Sequence, residues 1–264
     1  MKYYKISDYH DKKVEEFINI PFIPTSYVTL AAMSDEYPKL IAAVENYGIR
    51  VIPVSSYKGN TANVEASHAD MQILPLGGRK LALIENNDKL NSQLLDLGFE
   101  PVFVGEIPES FQYPECVRLN FALAGRNVIG CFKYCDGNIL SLLESFNKIS
   151  VKQGYAKCSV AIVSQNAVIT SDSAIHKACL SNGIDSLKIC EGNISLCERY
   201  GGFIGGACFL LERSTLAFTG DIKAHPDYIK IKSFCLNYGV SLLSLTSDTL
   251  CDVGGIVPLM QLGS

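Results

Sequence analysis

No stretch of this 264-residue sequence approaches the roughly 18 consecutive apolar residues of a membrane span, so none is expected. The opening residues, MKYYKISDYHDKKVEEF, have no apolar run ahead of their charges, so no secretion signal is expected either. Positive charge is also short: the formal net charge is -4 and the pI about 5.6, which argues against a nucleic-acid or anionic-membrane surface. Charged residues make up only 19% against 48% hydrophobic, the balance of a globular chain with a generous core. Ten cysteines are present, but zinc-type spacing is missing. Neither Cys131-x3-Cys135 nor Cys190-x6-Cys197 has the C-x2-C or H-x3-H partners of a structural site, so no metal is expected. Cys116, Cys158, Cys179, Cys208 and Cys235 fall inside apolar or helical patterns, where a thiol behaves as a small hydrophobe. A reducing cytoplasm is the expected home, and a disulfide framework is not expected. The glycine-rich strand-to-helix turn of a dinucleotide fold is absent as well: that position reads LAAMSDEYPKL, while GGFIGG and DVGG precede strands. No organic cofactor is expected.

What is present is a repeat. Four segments share an amphipathic helix, a glycine that stops it and a short apolar strand. They are DEYPKLIAAVENYGIRVIPV, NDKLNSQLLDLGFEPVFV, SAIHKACLSNGIDSLKIC and HPDYIKIKSFCLNYGVSLLSL, stopping at Gly48, Gly98, Gly183 and Gly239. Each glycine falls where a helix end needs a left-handed residue. A further helix, GNILSLLESFNKISV, ends near Asn147 without one. Successive stops lie 50, 49, 36 and 56 residues apart, the spacing of a repeat architecture. Ahead of the helices, ADMQILPLGGRKLALIE, ECVRLNFALAGRNVIGCF, AKCSVAIVSQNAVITSD and GGACFLLERSTLAFTGD each read as two strands around a turn.

The last unit is divided. The C-terminal TLCDVGGIVPLM supplies a strand with no helix after it, and the N-terminal SYVTLAAMSDEYPKLIAAVENYGIRVIPV supplies a helix and strand lacking a full strand pair. Joining them completes a fifth unit and closes a ring, leaving no open sheet edge. The expectation is therefore one α/β domain over residues 1–264, with residues 1–25 as an N-terminal extension.

Several short motifs invite a chemical reading. His68-x-Asp70 enters an expected strand, where alternation puts both on one face as an acid/base pair. Lys157 precedes Cys158 and would lower its pKa, although SVAIV after it also suits a packed thiol. Cys251-Asp252 stands just before Gly254-Gly255, where bare backbone admits close approach by a ligand or serves tight packing. Thr170-x-Asp172-x3-His176 and Thr219-x-Asp221-x3-His225 look like paired metal motifs, but each aspartate sits directly before a helix, and capping explains both. In GGFIGG, close strand packing is preferred to an anion cradle.

The order of the units, with HADMQ opening the first, YAKCS the third, GGFIGG the fourth and DVGG the last, resembles the guanidine-modifying-enzyme (pentein) superfamily. TGDIKAHPDY and DVGGIVPL are also similar to a bacterial family placed in that fold. The resemblance covers roughly residues 26–262 and implies a five-bladed α/β-propeller of ββαβ repeats with pseudo-fivefold symmetry, closed by both termini. It further implies a cysteine nucleophile, a proton-transferring histidine and carboxylates that grip a planar guanidinium.

Carried over residue by residue, the resemblance is uneven. Asp70 matches the guanidinium-binding aspartate. The second-blade acidic motif is replaced by a run from Glu115 through Arg118 to Asn120, the third-blade histidine by Ala156-Lys157-Cys158, and no cysteine follows Gly254-Gly255. The expected catalytic groups are thus His68, Cys158 and Cys251, with Asp70, Glu115, Arg118, Asn120, Lys157, Asp252 and Gly254 contacting a small ligand. Two functions stay open: a hydrolase or transferase acting on a small guanidino or amide compound, and a non-catalytic binding protein that kept the pocket. Neither calls for a nucleic-acid or membrane partner.

Overall fold

The structure is a computed structural model and describes residues 14–57, 65–107, 113–135, 137–197 and 200–263. The chain opens with β1 (Glu15–Phe17), β2 (Val28–Ser34), α1 (Pro38–Glu45) and β3 (Arg50–Val54). A one-turn helix α2 (Ala69–Gln72) leads into β4 (Ile73–Gly77), β5 (Lys80–Leu83), α3 (Asp88–Asp96) and β6 (Glu100–Phe103). The next unit is β7 (Ala122–Ala124), β8 (Asn127–Gly130), α4 (Gly137–Leu142) and β9 (Asn147–Ser150). A second one-turn helix, α5 (Ala156–Ser159), precedes β10 (Ala161–Ser164), β11 (Ala167–Thr170), α6 (Ser173–Ser181) and β12 (Asp185–Lys188). After a small ribbon of β13 (Ser195–Cys197) and β14 (Tyr200–Gly201) come β15 (Cys208–Glu212), β16 (Thr215–Phe218), α7 (Tyr228–Asn237) and β17 (Ser241–Ser244); β18 (Val257–Leu262) ends the chain.

Four three-stranded sheets follow one rule: an antiparallel pair, then a helix, then a strand parallel to the second. A parallel neighbour requires a crossover, and each helix supplies it. Gly48, Gly98, Gly183 and Gly239 stop α1, α3, α6 and α7 with φ of 75°, 85°, 77° and 70°, the left-handed conformation read from the sequence. Asp172 caps α6 by accepting from Ala174 and Ile175 N–H, and Asp221 accepts from Lys223 N–H, so both aspartates are caps. Each of α3, α6 and α7 buries an i, i+4 pair on its sheet: Leu90 with Leu94, Ile175 with Cys179, Ile231 with Cys235. Burial of such aliphatic side chains stabilises by roughly 1.5–3 kcal/mol each.

The fifth sheet joins the chain ends in the order β1-β18-β2-β3, with β18 antiparallel to β1 and β2 and β2 parallel to β3. Gln261 fixes this seam. Its Oε1 accepts from Thr25 and Ser26 N–H, and its Nε2 donates to Glu16 Oε1 and Thr25 Oγ1. A buried amide with that many partners locates the strand register by polar satisfaction as well as packing. Part of the stretch expected as an N-terminal extension is therefore sheet, while residues 1–13 lie outside the described residues. One apolar cluster runs through the units, and a second packs Met33, Leu40 and Val44 against Phe209, Leu211 and Ile256. Among the described residues, no helix is long and apolar enough to cross a membrane.

Two expected strand starts are helical turns instead. ADMQ forms α2 and AKCS forms α5, each with all four residues buried, and Gly205–Ala207 makes a 3-10 turn ahead of β15. His68 is thus the residue before a helix and not part of a strand, so the alternation argument for the His68/Asp70 face does not apply. The turns win because their N–H groups find partners from other units: Asp70 N–H on Gly254 C=O, Lys157 and Cys158 N–H on Asn120 Oδ1.

Candidate functional site

The turns bring groups from all five units into mutual contact. Asn120, just before β7, donates from Nδ2 to Asp70 C=O (3.4 Å) and to Cys158 Sγ (3.3 Å). Its Oδ1 accepts from Lys157 N–H (2.7 Å) and Cys158 N–H (3.1 Å). Lys157 Nζ donates to Gly205 C=O at 2.9 Å, Val253 and Gly255 N–H donate to Gly206 C=O, and Asp70 N–H returns to Gly254 C=O at 3.1 Å. This cycle visits residues 70, 120, 157, 205–206 and 254 in turn.

Inside it sit the ionisable groups. Cys158 Sγ–H donates to Asp70 Oδ2 at 2.9 Å. Asp70 Oδ1 and His68 Nε2 are both buried with no hydrogen-bond partner. Asp252 accepts from Phe203 N–H on Oδ2 and Gly254 N–H on Oδ1, each at 2.9 Å. A ring nitrogen of His68, Cys158 Sγ and a carboxylate oxygen of Asp252 lie within 4.8 Å of one another. The glycines make the room: a Cβ at Gly206 would overlap Asp252 Oδ1, and one at Gly254 (φ 72°) would overlap His68 Cβ. The glycines of GGFIGG serve close packing: a Cβ at Gly202 or Gly206 would run into Asp252 and one at Gly205 into the Lys157 and Val160 carbonyls, while Phe203 N–H is the one donor of the run on the Asp252 carboxylate.

Burial sets the electrostatics. It raises Asp70 to about 6, with the nearby Lys157 ammonium opposing, and raises Asp252 to about 7 with help from Asp70. It lowers His68 to about 4, so the imidazole is neutral. Cys158 is pushed well above the usual thiol range by burial, then by Asp70 and Asp252, against Lys157; the sequence expectation that Lys157 would leave a lowered thiol pKa is corrected. Two carboxylates face one ammonium, so the centre suits a cation.

The other expected residues lie apart. Glu115 is exposed, and Arg118, half-buried, donates from Nη1 to Val104 C=O. Cys251 is half-buried, bound through its backbone to Thr219 Oγ1, and lines a separate cavity of about 350 Å³ with Tyr37, Thr246 and Asp248. Sequence reasoning missed Glu65 and Tyr155. Tyr155 O–H donates to Glu65 Oε2 at 2.5 Å, and its ring stacks between Tyr113 and Phe203. The only signal was adjacency, two residues before Lys157. A second trio, Cys190, His225 and Asp227, also places ligand atoms within 4.8 Å of one another; these two groups are the candidates for holding a metal among the described residues.

Residues 32–257 match the profile of a family described as "Family of unknown function (DUF6873)". The chain belongs to this family. No curated protein matches it. Among solved structures, this DUF6873 member is similar to an inosamine-phosphate amidinotransferase from Streptomyces griseus, at 8% identity and TM-score 0.59, covering 96% of this chain and 98% of that one. It is similar to SxtG, an amidinotransferase of the saxitoxin biosynthetic pathway from Microseira wollei, at 9% identity and TM-score 0.55 over 89% and 96%. An agmatine deiminase from C. jejuni gives 8% and 0.54 over 95% and 97%. At such identities the likeness establishes the fold, which is the guanidine-modifying-enzyme (pentein) fold.

Proposed function

We propose that this chain binds a small guanidino or amidino cation at the centre of a closed five-bladed α/β-propeller and transfers or hydrolyses its amidino carbon at Cys158. The single observation that carries it is the buried Asp70 carboxylate, whose Oδ2 takes the Cys158 thiol at 2.9 Å while Oδ1 has no partner. Such a carboxylate lacks the cation that would complete it, and a planar guanidinium fits two carboxylate oxygens. Closure is supported by the β18 seam and by the hydrogen-bond cycle through five units. The free thiols of the described cysteines suit a reducing compartment such as the cytoplasm.

In this reading the ligand cation makes the thiolate accessible, because it offsets the two carboxylates that hold the proton on sulfur. The proton passes to Asp70 Oδ2, and sulfur adds to the guanidine carbon. The C–N bond breaks as that same proton passes from Asp70 by way of neutral His68, close to Sγ, to the departing amine, which leaves Asp70 ionised again. Water or an acceptor amine then displaces sulfur, returning the proton. A binding protein without turnover is the second reading, and the upward push on Cys158 favours it.

Calorimetry of the full chain with a panel of guanidinium and amidinium compounds tests this. Binding is expected, with at least about 10-fold loss in Asp70→Asn, the loss of a charge-assisted pair. If no compound binds, or Asp70→Asn binds equally well, the proposal is wrong. Intact-mass detection of an adduct absent from Cys158→Ala supports catalysis, whereas binding with neither adduct nor product supports the second reading.

A further inference from the structure

The donor set at the centre has a second capability. We propose that His68, Cys158 and Asp252 form a site for a soft divalent cation of the zinc type, with one coordination position left open. Neutral imidazole, thiolate and carboxylate are the three protein ligands such an ion accepts, and three ligands with an open fourth position is its reactive form. The three atoms lie within 4.8 Å of one another, so closing to the roughly 3.5 Å separations of a tetrahedral site takes side-chain movements of about 1 Å.

An independent feature points to a ligand here. His68 is 2% exposed, and its Nε2 is buried without a partner. A buried imidazole nitrogen left unpaired is unfavourable, and a bound ion would offset that cost. No described hydrogen bond commits either ring nitrogen of His68, so one can hold the proton while the other keeps its lone pair for the ion. Asp252 already accepts two N–H groups, but each carboxylate oxygen keeps a second lone pair.

Charge balances. Ligation replaces S–H by S–M with release of one proton, and Asp70 Oδ2, 2.9 Å from sulfur, is the group placed to receive it. The ion's two positive charges and Lys157 then meet Cys158 thiolate and Asp252, and the sum reaches zero once Asp70 has passed the proton on to solvent and is itself a carboxylate. Sequence spacing gave no hint, because the donors are contributed by residues 68, 158 and 252. The proposal does not rest on the guanidino reading; an ion and an organic cation would exclude each other.

The test uses the reduced full chain, stripped of metal and titrated with Co²⁺, then with Zn²⁺ in competition. One equivalent of Co²⁺ is expected to give a thiolate-to-cobalt charge-transfer band that Zn²⁺ abolishes. Cys158→Ser should remove the band, His68→Ala should weaken Zn²⁺ binding by at least about 10-fold, and Cys190→Ser should change neither. Absence of the band in the unsubstituted chain overturns the proposal whatever the variants do. So does a band that persists in Cys158→Ser and vanishes in Cys190→Ser, which would put the ion in the outer trio.

Discussion

Among the described residues a histidine, a cysteine and an aspartate come together twice, and the two trios behave differently. In the outer one, Asp227 accepts from Cys190 N–H at 2.7 Å and from Lys230 Nζ at 2.7 Å, and its carboxyl is held far below the usual range, chiefly by Lys230. Asp227 N–H donates to His225 Nδ1 at 3.1 Å, which fixes the proton on Nε2 and removes the lone pair a metal would need. That trio joins the segment after β12 to the start of α7, with its carboxylate fully engaged. His225 Nε2 is also buried without a partner, but with the proton fixed on it that atom is a donor and cannot ligate; at the centre, the unpaired atoms are Asp70 Oδ1, an acceptor, and His68 Nε2, whose tautomer no hydrogen bond fixes. Residue types and distances are shared; what separates a structural staple from a candidate site is which lone pairs and protons are already committed.

The largest expected contrast is steric. Gly254 has φ 72° with His68 packed against where a Cβ would lie, whereas Gly192, beside the outer trio, has φ 84° and nothing within 4 Å. Gly254→Ala should cost on the order of 3 kcal/mol or more, combining backbone strain with overpacking, and Gly192→Ala about 1 kcal/mol from strain alone. Urea denaturation measures both. Equal losses would mean the centre yields as easily as the rim.

Next comes a difference in sign. Asp70→Asn removes a buried charge with an unpaired oxygen, so it should stabilise the ligand-free chain by about 1–3 kcal/mol while removing cation binding. Asp227→Asn loses a charge-assisted bond from Cys190 N–H and should destabilise by about 1 kcal/mol. Destabilisation by both would show that Asp70 is as satisfied as Asp227.

Two helix-face thiols, on α6 and α7, take no part in either trio. Burial raises Cys179 to about 11 and Cys235 to about 12, from 9.0. A raised folded value means stability is complete below pH 9 and falls as pH rises through 11–12. At pH 10 each thiol should have cost about 1 kcal/mol, a loss that Cys179→Ala and Cys235→Ala would no longer show in urea melts across pH.

What could be read in advance follows from the range of the forces involved. Gly48, Gly98, Gly183 and Gly239 act within their own helix ends, and Asp172 and Asp221 cap within three residues, so a single sequence reveals them. The join of β18 to β2 was legible because each end carried an incomplete unit. The turns α2 and α5 were not: four residues hold no period, and their N–H groups are satisfied by Asn120 and Gly254 from other units. Of the run Glu115 to Asn120, only Asn120 reaches the centre, a choice made by where β7 begins. The meeting of Cys190 with His225 depends on α7 returning beside β12, and no local pattern marks it.

The smallest expected effect concerns the cation of the outer trio. Lys230 lies 2.7 Å from Asp227 Oδ1 with 67% of its side chain exposed, whereas Lys157 is 5% exposed and bound to Gly205 C=O. Solvent screens the first pair, so Lys230→Ala should leave stability nearly unchanged at moderate salt. Lys157→Met removes the ammonium that lies over the Phe22 ring and leaves Gly205 C=O and both carboxylates without it, at a cost of about 2 kcal/mol or more. If raising salt erased the Lys157→Met effect as it should erase that of Lys230→Ala, the central charges would be solvent-screened, and the distinction between the two trios would rest on geometry alone.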